Sequence, residues 1–529
     1  MQRGITTSSV LGLCGALALL AAAIGFRLYG SLQEPFWLDE AYSAYAAGKG
    51  FHFLWHVVPS YETHPPFYYS LLRVWTLVFG DSLAGYRTLG FVAGLATLPL
   101  IGLAGRDAAR AAGLDPARIG WGTVAFAALS IALVAMTREV RPYPIMILVY
   151  TVTTWALIRL GIAVDRDRRI ATRPYAAYLI GLALMLWLHN LGLLYAAAIG
   201  VALAVLVLRR GLSQRDWGLL IGGHLLVALV WLPALLILID QAPTWVNTTW
   251  LTFTWSGVPW RLAVLYAAPG APPGVALFVL AGLAIWRLAD GAPRQRLAAA
   301  LFALAIIPAA ASVLLSALVA PIFIMRTMTP VAVPAMLLLA IGTLGWSFGW
   351  RRWLGVLAGL IVLVHMALVD IRERQHVGGA EDWYGAVDFL AKRWRPGDVV
   401  LAYPNESALP LDFALSDRGI AIPVRPIPTA VPSIGVGGWY PTGSRGVVSL
   451  PRPRLRAIAQ EPGVQAAPTI WLLRSGARTY DRGNVFLREL RHGRRPIARF
   501  FHQPIDLIGL RRVPLSARRA APAAAAAAR

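Results

Sequence analysis

Charged residues are scarce in this chain. They make up 14% of its 529 residues, against about 25% in an ordinary soluble domain, whereas hydrophobic residues make up 57% and the mean hydropathy is +0.59. Because the apolar residues gather in long uncharged runs, the composition excludes an ordinary soluble protein and predicts a polytopic α-helical membrane protein. Cysteine is nearly absent too. Cys14 is the single one, which excludes an intrachain disulfide.

Acidic residues are few relative to basic ones, and the formal net charge is +23. One interpretation is a set of basic cytoplasmic loops, and the other is affinity for anionic lipid or a phosphate-bearing substrate. We favour the first for most arginines, and no nucleic-acid partner is expected for so apolar a chain. The apolar run Ser8–Phe26 could mimic a signal peptide. It is long enough to span a membrane and shows no convincing cleavage site before Arg27, so it is predicted to be the first transmembrane helix.

A span needs about 20 apolar residues. By this criterion we predict about eleven spans, at 8–29, 83–105, 119–137, 144–163, 174–190, 191–208, 217–239, 272–286, 297–319, 328–346 and 354–369. The stretch 65–80 is ambiguous because it is short, starts with Pro65-Pro66 and contains Arg73. If it does not cross, the inner loops hold most of the basic residues, as the positive-inside rule requires. We therefore predict a juxtamembrane or re-entrant helix on the outer face at 65–80, a cytoplasmic N-terminus and an outer C-terminus.

The composition changes at residue 370, which predicts a transmembrane domain at 1–369 and a small α/β extracytoplasmic domain at 370–517. Within the second, we predict an amphipathic helix at 381–394, a turn at 396–398, and strands at 399–403 and 470–473. The Pro- and Gly-rich stretch 421–455 is predicted to be loop, and the Ala- and Arg-rich tail 518–529 to be disordered.

Polar residues collect in the loops assigned to the outer face. Five short clusters stand out there: Asp39 and Glu40 in L-D-E-A-Y, His64 in T-H-P-P, Arg138, Arg141 and Tyr143 in R-E-V-R-P-Y, His189 in W-L-H-N, and Arg326 in I-M-R-T. Ionisable groups at membrane depth are costly and usually functional. Because the topology puts all five clusters on one side, we expect them to converge near one interface.

The residue types suit transfer of a group from a lipid phosphate. Arginine binds phosphate through paired charge-assisted hydrogen bonds and stabilises it as a leaving group. A carboxylate can accept the proton of an attacking hydroxyl. Each residue also has a structural alternative: Asp39 as a helix N-cap, Glu40 as a solvated charge, the two R-E-V-R-P-Y arginines as interfacial anchors, and His189 as an interhelical hydrogen-bond partner.

The motifs together resemble the dolichyl- and polyprenyl-phosphate-sugar glycosyltransferases of the protein mannosyltransferase and aminoarabinose transferase type, which share the multi-span C-type glycosyltransferase fold. The resemblance rests on L-D-E-A-Y, H-P-P-F-Y-Y with F-G-D-S at 79–82, R-E-V-R-P-Y, the Arg326 loop with T-P-V-A-V-P-A, and E-D-W-Y-G-A-V-D-F-L leading to P-G-D-V-V. It covers about residues 8–405.

The resemblance implies that Asp39 is the catalytic base and that Glu40 assists in substrate or metal binding. It also implies that the donor phosphate is held by arginines and a tyrosine, namely Arg138, Arg141, Tyr143 and Arg326. Tyr42, His64 and His189 are further candidates for substrate binding. Some relatives need a divalent metal and others do not, so no metal is carried over and the sequence requires no cofactor. One departure is the R-P-Y-P ending of the second motif, whose prolines could alter the local helix.

The hypothesis is an inverting glycosyltransferase of the bacterial inner membrane, with its C-terminal domain in the periplasm. It would move a hexosyl or pentosyl unit from a polyprenyl-phosphate donor to a hydroxyl on a lipid, glycan or protein. One alternative is a transporter or flippase of a lipid-linked sugar, although we find no inverted repeats or broken midplane helices. Another is a non-catalytic assembly protein with the same fold.

Overall fold

The computed structural model describes residues 7–248, 251–375, 381–433 and 449–513. Over these residues the chain is mostly helical and divides into two compact units. The first unit comprises the described parts of Met1–Ser31, Thr63–Leu71 and Ala84–His376, and the second those of Leu32–Glu62, Leu72–Leu83 and Val377–Arg529. The predicted disordered tail at 518–529 lies outside the described residues.

The described α-helices before residue 376 are α1 (Thr7–Leu28), α2 (Leu38–Gly48), α3 (Phe67–Phe79), α4 (Leu83–Ala112), α5 (Pro116–Leu129), α6 (Ile131–Met136), α7 (Tyr143–Asp167), α8 (Thr172–Leu188), α9 (Gly192–Val207), α10 (Gln214–Thr248), α11 (Val258–Tyr266), α12 (Ala271–Leu288), α13 (Ala292–Leu318), α14 (Met325–Met328), α15 (Ala332–Leu344) and α16 (Trp350–Gln375). The later ones are α17 (Trp383–Ala391), α18 (Ala408–Asp417), α19 (Arg452–Ala459), α20 (Pro462–Ala466), α21 (Ala477–Tyr480) and α22 (Val485–Arg491).

Seven of the described helical segments are long and apolar enough to cross a membrane. They are Leu83–Ala112, Tyr143–Asp167, Gln214–Val246, Ala271–Leu288, Ala292–Leu318, Met325–Leu344 and Trp350–Glu373. This confirms a polytopic helical membrane protein. Of the other four predicted spans, 8–29 forms α1, a helix of 22 residues, and three correspond to shorter pieces: α8 has 17 residues, α9 has 16, and the span at 119–137 is divided at Ser130 into α5 and α6.

Burial separates two kinds of apolar helix in the first unit. In the most apolar stretch of Met325–Leu344, 94% of the residues are buried, whereas in that of Gln214–Val246 only 17% are. A helix that is apolar on all sides is stable either inside a core or against lipid. The segment Met325–Leu344, which contains α14 and α15, therefore lies in the core of the first unit, and α10 presents its apolar surface outward.

The stretch at 65–80 forms α3, a helix of 13 residues. This length is below that of a membrane span, so the predicted helix is confirmed as a short one. Its place at the outer face stays a prediction.

The second unit contains a five-stranded sheet. Its strands are β1 (Val399–Tyr403), β2 (Val424–Pro426), β3 (Thr469–Ser475), β4 (Arg494–His502) and β5 (Ile505–Arg512), in the order β2-β1-β3-β5-β4. The first three are parallel, and β5 is antiparallel to both β3 and β4. This confirms the two predicted strands and the predicted helix α17, and it adds β2 inside the stretch assigned to loop.

Apolar layers cover both faces of this sheet. On one face Trp383 of α17 and Leu411 of α18 pack with Trp471. On the other, Leu455 of α19 and Phe486 of α22 pack on the sheet. Every residue of β3 is consequently buried, as expected for a parallel strand covered on both sides.

The predicted turn at 396–398 ties two strands together. Asp398 accepts hydrogen bonds from the Thr469 backbone N–H and the Trp471 indole N–H, both at 3.1 Å. Because Asp398 precedes β1 and its partners lie on β3, the carboxylate holds these parallel neighbours together.

Residues 32–62, which the sequence analysis assigned to the membrane domain, group with the sheet domain in the second unit. The ring of Phe36 stacks on that of Phe413 in α18, with centroids 4.1 Å apart. The Tyr45 hydroxyl donates a hydrogen bond to the Val431 carbonyl at 2.6 Å. These contacts fix α2 on the C-terminal part of the chain.

Candidate active site

The R-E-V-R-P-Y segment is a loop that ends at the first residue of α7. Pro142 is the N-cap of α7 and Pro144 lies in its first turn. Proline is well accommodated at a helix start, where its missing N–H would have no intrahelical partner. The prolines that we expected to disturb this motif therefore fix where α7 begins, with Arg141 in the loop and Tyr143 at the helix start.

A glycine of α4 lets this loop pack closely. A Cβ atom at Gly90 would lie 2.7 Å from the Thr137 carbonyl oxygen and 3.3 Å from that of Glu139. Only a residue without a side chain fits there. On the other side of the loop, the Arg138 guanidinium donates a hydrogen bond to the Tyr29 carbonyl, so Arg138 anchors the loop to the end of the first helix.

Two arginines meet at the ring of Tyr143. The Arg326 Nε–H donates a hydrogen bond to the Tyr143 hydroxyl at 3.2 Å. The guanidinium carbon of Arg141 lies 6.0 Å from the centre of the same ring. Arg141 and Tyr143 are 4% and 1% exposed, so the Arg141 guanidinium is held in a largely protein environment, whereas Arg326 is partly exposed. We call Arg141, Tyr143 and Arg326 the arginine cluster.

The helical turn that carries Arg326 is fixed from both sides. The Thr329 hydroxyl donates to the Arg326 carbonyl at 2.9 Å, and the buried Tyr195 hydroxyl donates to the Thr327 carbonyl at 2.8 Å. Such backbone anchors hold the guanidinium at a defined position, which a binding site requires.

A histidine pair adjoins the arginine cluster. His64 and His189 approach through their Nε2 atoms at 3.2 Å, and the rings of His189 and Tyr143 have centroids 5.9 Å apart. The Leu191 backbone N–H donates to His189 Nδ1 at 3.1 Å, so the proton of neutral His189 is on Nε2. In this tautomer the His189 Nε2–H donates to His64 Nε2.

The predicted carboxylate pair lies in the second unit, at the start of α2. Trp37 is the N-cap of this helix, so Asp39 occupies its second helical position and the interpretation of Asp39 as the N-cap is wrong. Glu40 is 2% exposed and its Oε2 accepts from the Trp37 backbone N–H at 3.4 Å. The alternative of a solvated Glu40 is therefore also wrong. Asp39 is partly exposed, and the helix N-terminus favours its negative charge.

A third carboxylate, Glu381, joins this pair, and the sequence analysis gave it no role. Its Oε2 accepts hydrogen bonds from the Leu38 backbone N–H at 3.2 Å and from the Trp383 indole at 2.8 Å. Burial raises the pKa of Glu381, and the charges of Asp39 and Glu40 raise it further. The sequence signal for Glu381 was the E-D-W-Y segment, which contributed only to the family resemblance.

Tyr42 is fully buried, and its hydroxyl shares a hydrogen bond of 2.8 Å with the Tyr61 hydroxyl. It therefore fixes α2 to the segment that follows. Its predicted contact with substrate stays a prediction.

The structure thus brings together His64, His189 and the arginine cluster within the first unit, and Asp39, Glu40 and Glu381 within the second. Each group lies within its own unit. The expected convergence of the two groups stays a prediction. Among the described residues, no group of three or more His, Cys, Asp or Glu side chains has an arrangement suited to a metal ion.

Three solved structures are similar to this chain over most of its length. ArnT from Cupriavidus metallidurans in the apo state gives a TM-score of 0.56 at 14% identity, over 95% of this chain and 98% of ArnT. The same protein bound to undecaprenyl phosphate gives 0.56 at 13% identity, with the same coverage. The oligosaccharyltransferase of Archaeoglobus fulgidus, tethered with an acceptor peptide containing the NVT sequon via a disulfide bond, gives 0.50 at 11% identity, over 90% of this chain and 70% of that one.

No family model matches the chain, and no curated protein matches it. The structural likenesses establish the fold. The C-type glycosyltransferase fold that the sequence motifs predicted is therefore confirmed over nearly the whole chain.

Proposed function

We propose that this protein is an integral membrane glycosyltransferase that moves a sugar from a polyprenyl-phosphate donor to an acceptor hydroxyl. The observation that carries the proposal is the arginine cluster, in which two guanidinium groups meet at one buried tyrosine. It occurs in a chain with the fold of ArnT, a protein crystallised with undecaprenyl phosphate.

In this proposal the arginine cluster binds the donor phosphate, with Arg138 anchoring the loop that carries Arg141. During transfer, the acceptor oxygen forms a bond to the anomeric carbon while the bond from that carbon to the phosphate oxygen breaks. The phosphate changes from a diester with one negative charge to a monoester that gains a second. Two guanidinium groups match that developing charge, and such preorganised stabilisation is usually the largest catalytic contribution.

The base in this proposal is Asp39, which takes the proton of the acceptor hydroxyl. Its partial exposure supports this choice over Glu40, which is 2% exposed and bonded to the start of its own helix. Glu40 then orients the first turn of α2, while Tyr42, His64 and His189 remain the candidates for contact with the sugar or acceptor.

We also propose a topology and a location. The protein has eleven spans in a bacterial inner membrane, a cytoplasmic N-terminus and a periplasmic C-terminal domain at 370–517. The distribution of basic residues supports this orientation. In a Cys14→Ala background, a membrane-impermeant thiol reagent should label Asp81→Cys and Arg495→Cys in intact spheroplasts but not Arg169→Cys. Labelling of Arg169→Cys alone would reverse the topology.

The decisive experiment is complementation of a deletion strain, followed by mass spectrometry of its membrane lipids and envelope glycans. The wild-type gene should restore a glycosylated product, of hexosyl or pentosyl type, that the deletion lacks. Asp39→Asn should accumulate normally and restore nothing. A matched control is Asp115→Asn at the N-cap of α5, where asparagine also caps, so this variant should restore the product fully.

Full restoration by Asp39→Asn would refute the assignment of the base. An unchanged set of glycans in the deletion strain would refute the transferase. Flipped lipid-linked sugar without a new glycosidic bond would instead support the flippase.

A further inference from the structure

The C-terminal sheet domain contains a cavity of about 690 Å³, lined by residues between 474 and 506. This volume is in the range that holds a small ligand. All of its lining residues belong to the second unit, and none of them belongs to the groups assigned to sugar transfer.

The topology puts this cavity where α/β sheets usually bind ligands. The strands β1, β2 and β3 are parallel, so their carboxyl ends share one edge of the sheet. The loop after β3 forms one wall of the cavity. The register pairs Ser475 with Ile505, so the β4–β5 hairpin lies at the same edge and forms the other wall. Crevices at the carboxyl ends of such strands are the usual ligand sites.

A buried ionic network forms the base of the cavity. The side chain of Arg474 is 4% exposed and bonds to Asp481 at 3.0 Å, to Asn484 at 2.6 Å and to Asp506. Arg499 also bonds to Asp506, at 2.6 Å. A paired and hydrogen-bonded network of this kind makes a rigid polar floor. The Arg474 Nε has no hydrogen-bond partner among the described residues.

The lining carries an excess of positive charge. It contains four arginines, namely Arg474, Arg478, Arg482 and Arg499, but only two aspartates, Asp481 and Asp506. Arg474 and Arg499 form ion pairs with Asp506 at the base of the cavity, and Arg478 and Arg482 are exposed on the loop after β3. The excess favours an anionic ligand, for which arginine is the preferred partner.

An aromatic ring completes the rim. Phe501 lines the cavity and is 64% exposed, and the Arg499 guanidinium lies 5.2 Å from the centre of its ring. A large exposed aromatic side chain at a polar cavity provides a flat apolar surface. A sugar ring fits such a surface with its apolar face, while Gln503 and Thr479 in the same lining can bond its hydroxyls.

We propose that this cavity is a second saccharide-binding site, specific for a sugar that carries a phosphate or carboxylate group. The anionic group binds at Arg478 and Arg482, and the ring packs on Phe501. The site is independent of the proposed transfer reaction and holds whether or not that reaction is correct.

The test is isothermal titration of the full-length protein in detergent with glucose 1-phosphate, inorganic phosphate and glucose. Glucose 1-phosphate should bind, and glucose should bind at least about tenfold more weakly because it lacks the charge-assisted hydrogen bonds. The double variant Arg478→Gln/Arg482→Gln should lose about tenfold or more in affinity for the sugar phosphate. Phe501→Ala should weaken the binding of glucose 1-phosphate without changing the affinity for inorganic phosphate.

A matched variant separates this site from general charge. Arg495→Gln/Arg511→Gln removes the same charge from exposed positions at the other end of the same sheet and should bind glucose 1-phosphate with wild-type affinity. The proposal fails if glucose 1-phosphate does not bind, if glucose binds equally well, or if the matched variant loses the same affinity. Inorganic phosphate binding as tightly as the sugar phosphate, with no effect of Phe501→Ala, would also overturn it.

Discussion

Tyr143→Phe removes the hydroxyl that holds Arg326 in the arginine cluster and keeps the ring next to Arg141. The hydroxyl accepts the Arg326 Nε–H at 3.2 Å in a residue that is 1% exposed. Hydrogen bonds to charged groups contribute about 1.5–3 kcal/mol, and 3.2 Å is at the long end of the N–H···O range, so we take about 1.5 kcal/mol. If the hydroxyl holds Arg326 in place for a lipid phosphate, the variant should bind undecaprenyl phosphate about tenfold more weakly.

The affinity can be measured by native mass spectrometry or thermophoresis of the purified protein, with undecaprenol as the uncharged comparison. The matched control is Tyr150→Phe, two turns along α7, whose fully buried hydroxyl donates to the Leu304 carbonyl at 2.8 Å. That variant should lose about 1 kcal/mol of stability and keep its affinity. Wild-type affinity in folded Tyr143→Phe, or equal losses in both variants, would refute the reasoning.

Two further predictions concern stability. Burial and the neighbouring carboxylates raise the pKa of Glu381, so its contribution to folding is full below its ordinary pKa and is lost as the pH rises through the higher folded-state value. Glu381→Gln keeps an acceptor oxygen without the charge, so its melting temperature should rise relative to wild type as the pH increases above the ordinary pKa of glutamate. A difference independent of pH would contradict this. Gly90→Ala would place a Cβ atom 2.7 Å from the Thr137 carbonyl oxygen and should lower the free energy of unfolding by about 1–3 kcal/mol. The control is Gly222→Ala, whose Cβ would meet nothing within 4 Å. Equal melting temperatures of the two variants would contradict the close packing at Gly90.

Long periodic or apolar segments of the fold were predictable from sequence. The long apolar helices and the strands at 399–403 and 469–475 follow directly from hydrophobic runs of sufficient length. The strand β4 was missed because it contains Pro496 and three exposed basic positions, Arg495, Arg499 and His502. Both are typical of an edge strand, which β4 is, and both weaken its sequence pattern.

The candidate site was predictable in its residue types and only partly in its arrangement. Arg141, Tyr143 and Arg326 were named from their motifs, and the structure brings them together. Glu381 was missed because its link to Leu38 depends on a contact between residues 343 positions apart, for which local sequence carries no signal. The burial of Glu40 was missed because a charged residue next to another charged residue is normally solvated.

The grouping of α2 with the sheet domain has a consequence for biosynthesis. The partners of Leu38 and Tyr45 are encoded 343 and 386 residues downstream. At about 5–20 residues per second, the ribosome makes those partners roughly 20–80 s after the acidic segment has emerged. In a nascent chain Asp39 and its neighbours therefore lack these native partners until Glu381 and Val431 have been made. A chain that terminates early loses this segment's native support, even though every residue of the segment is present.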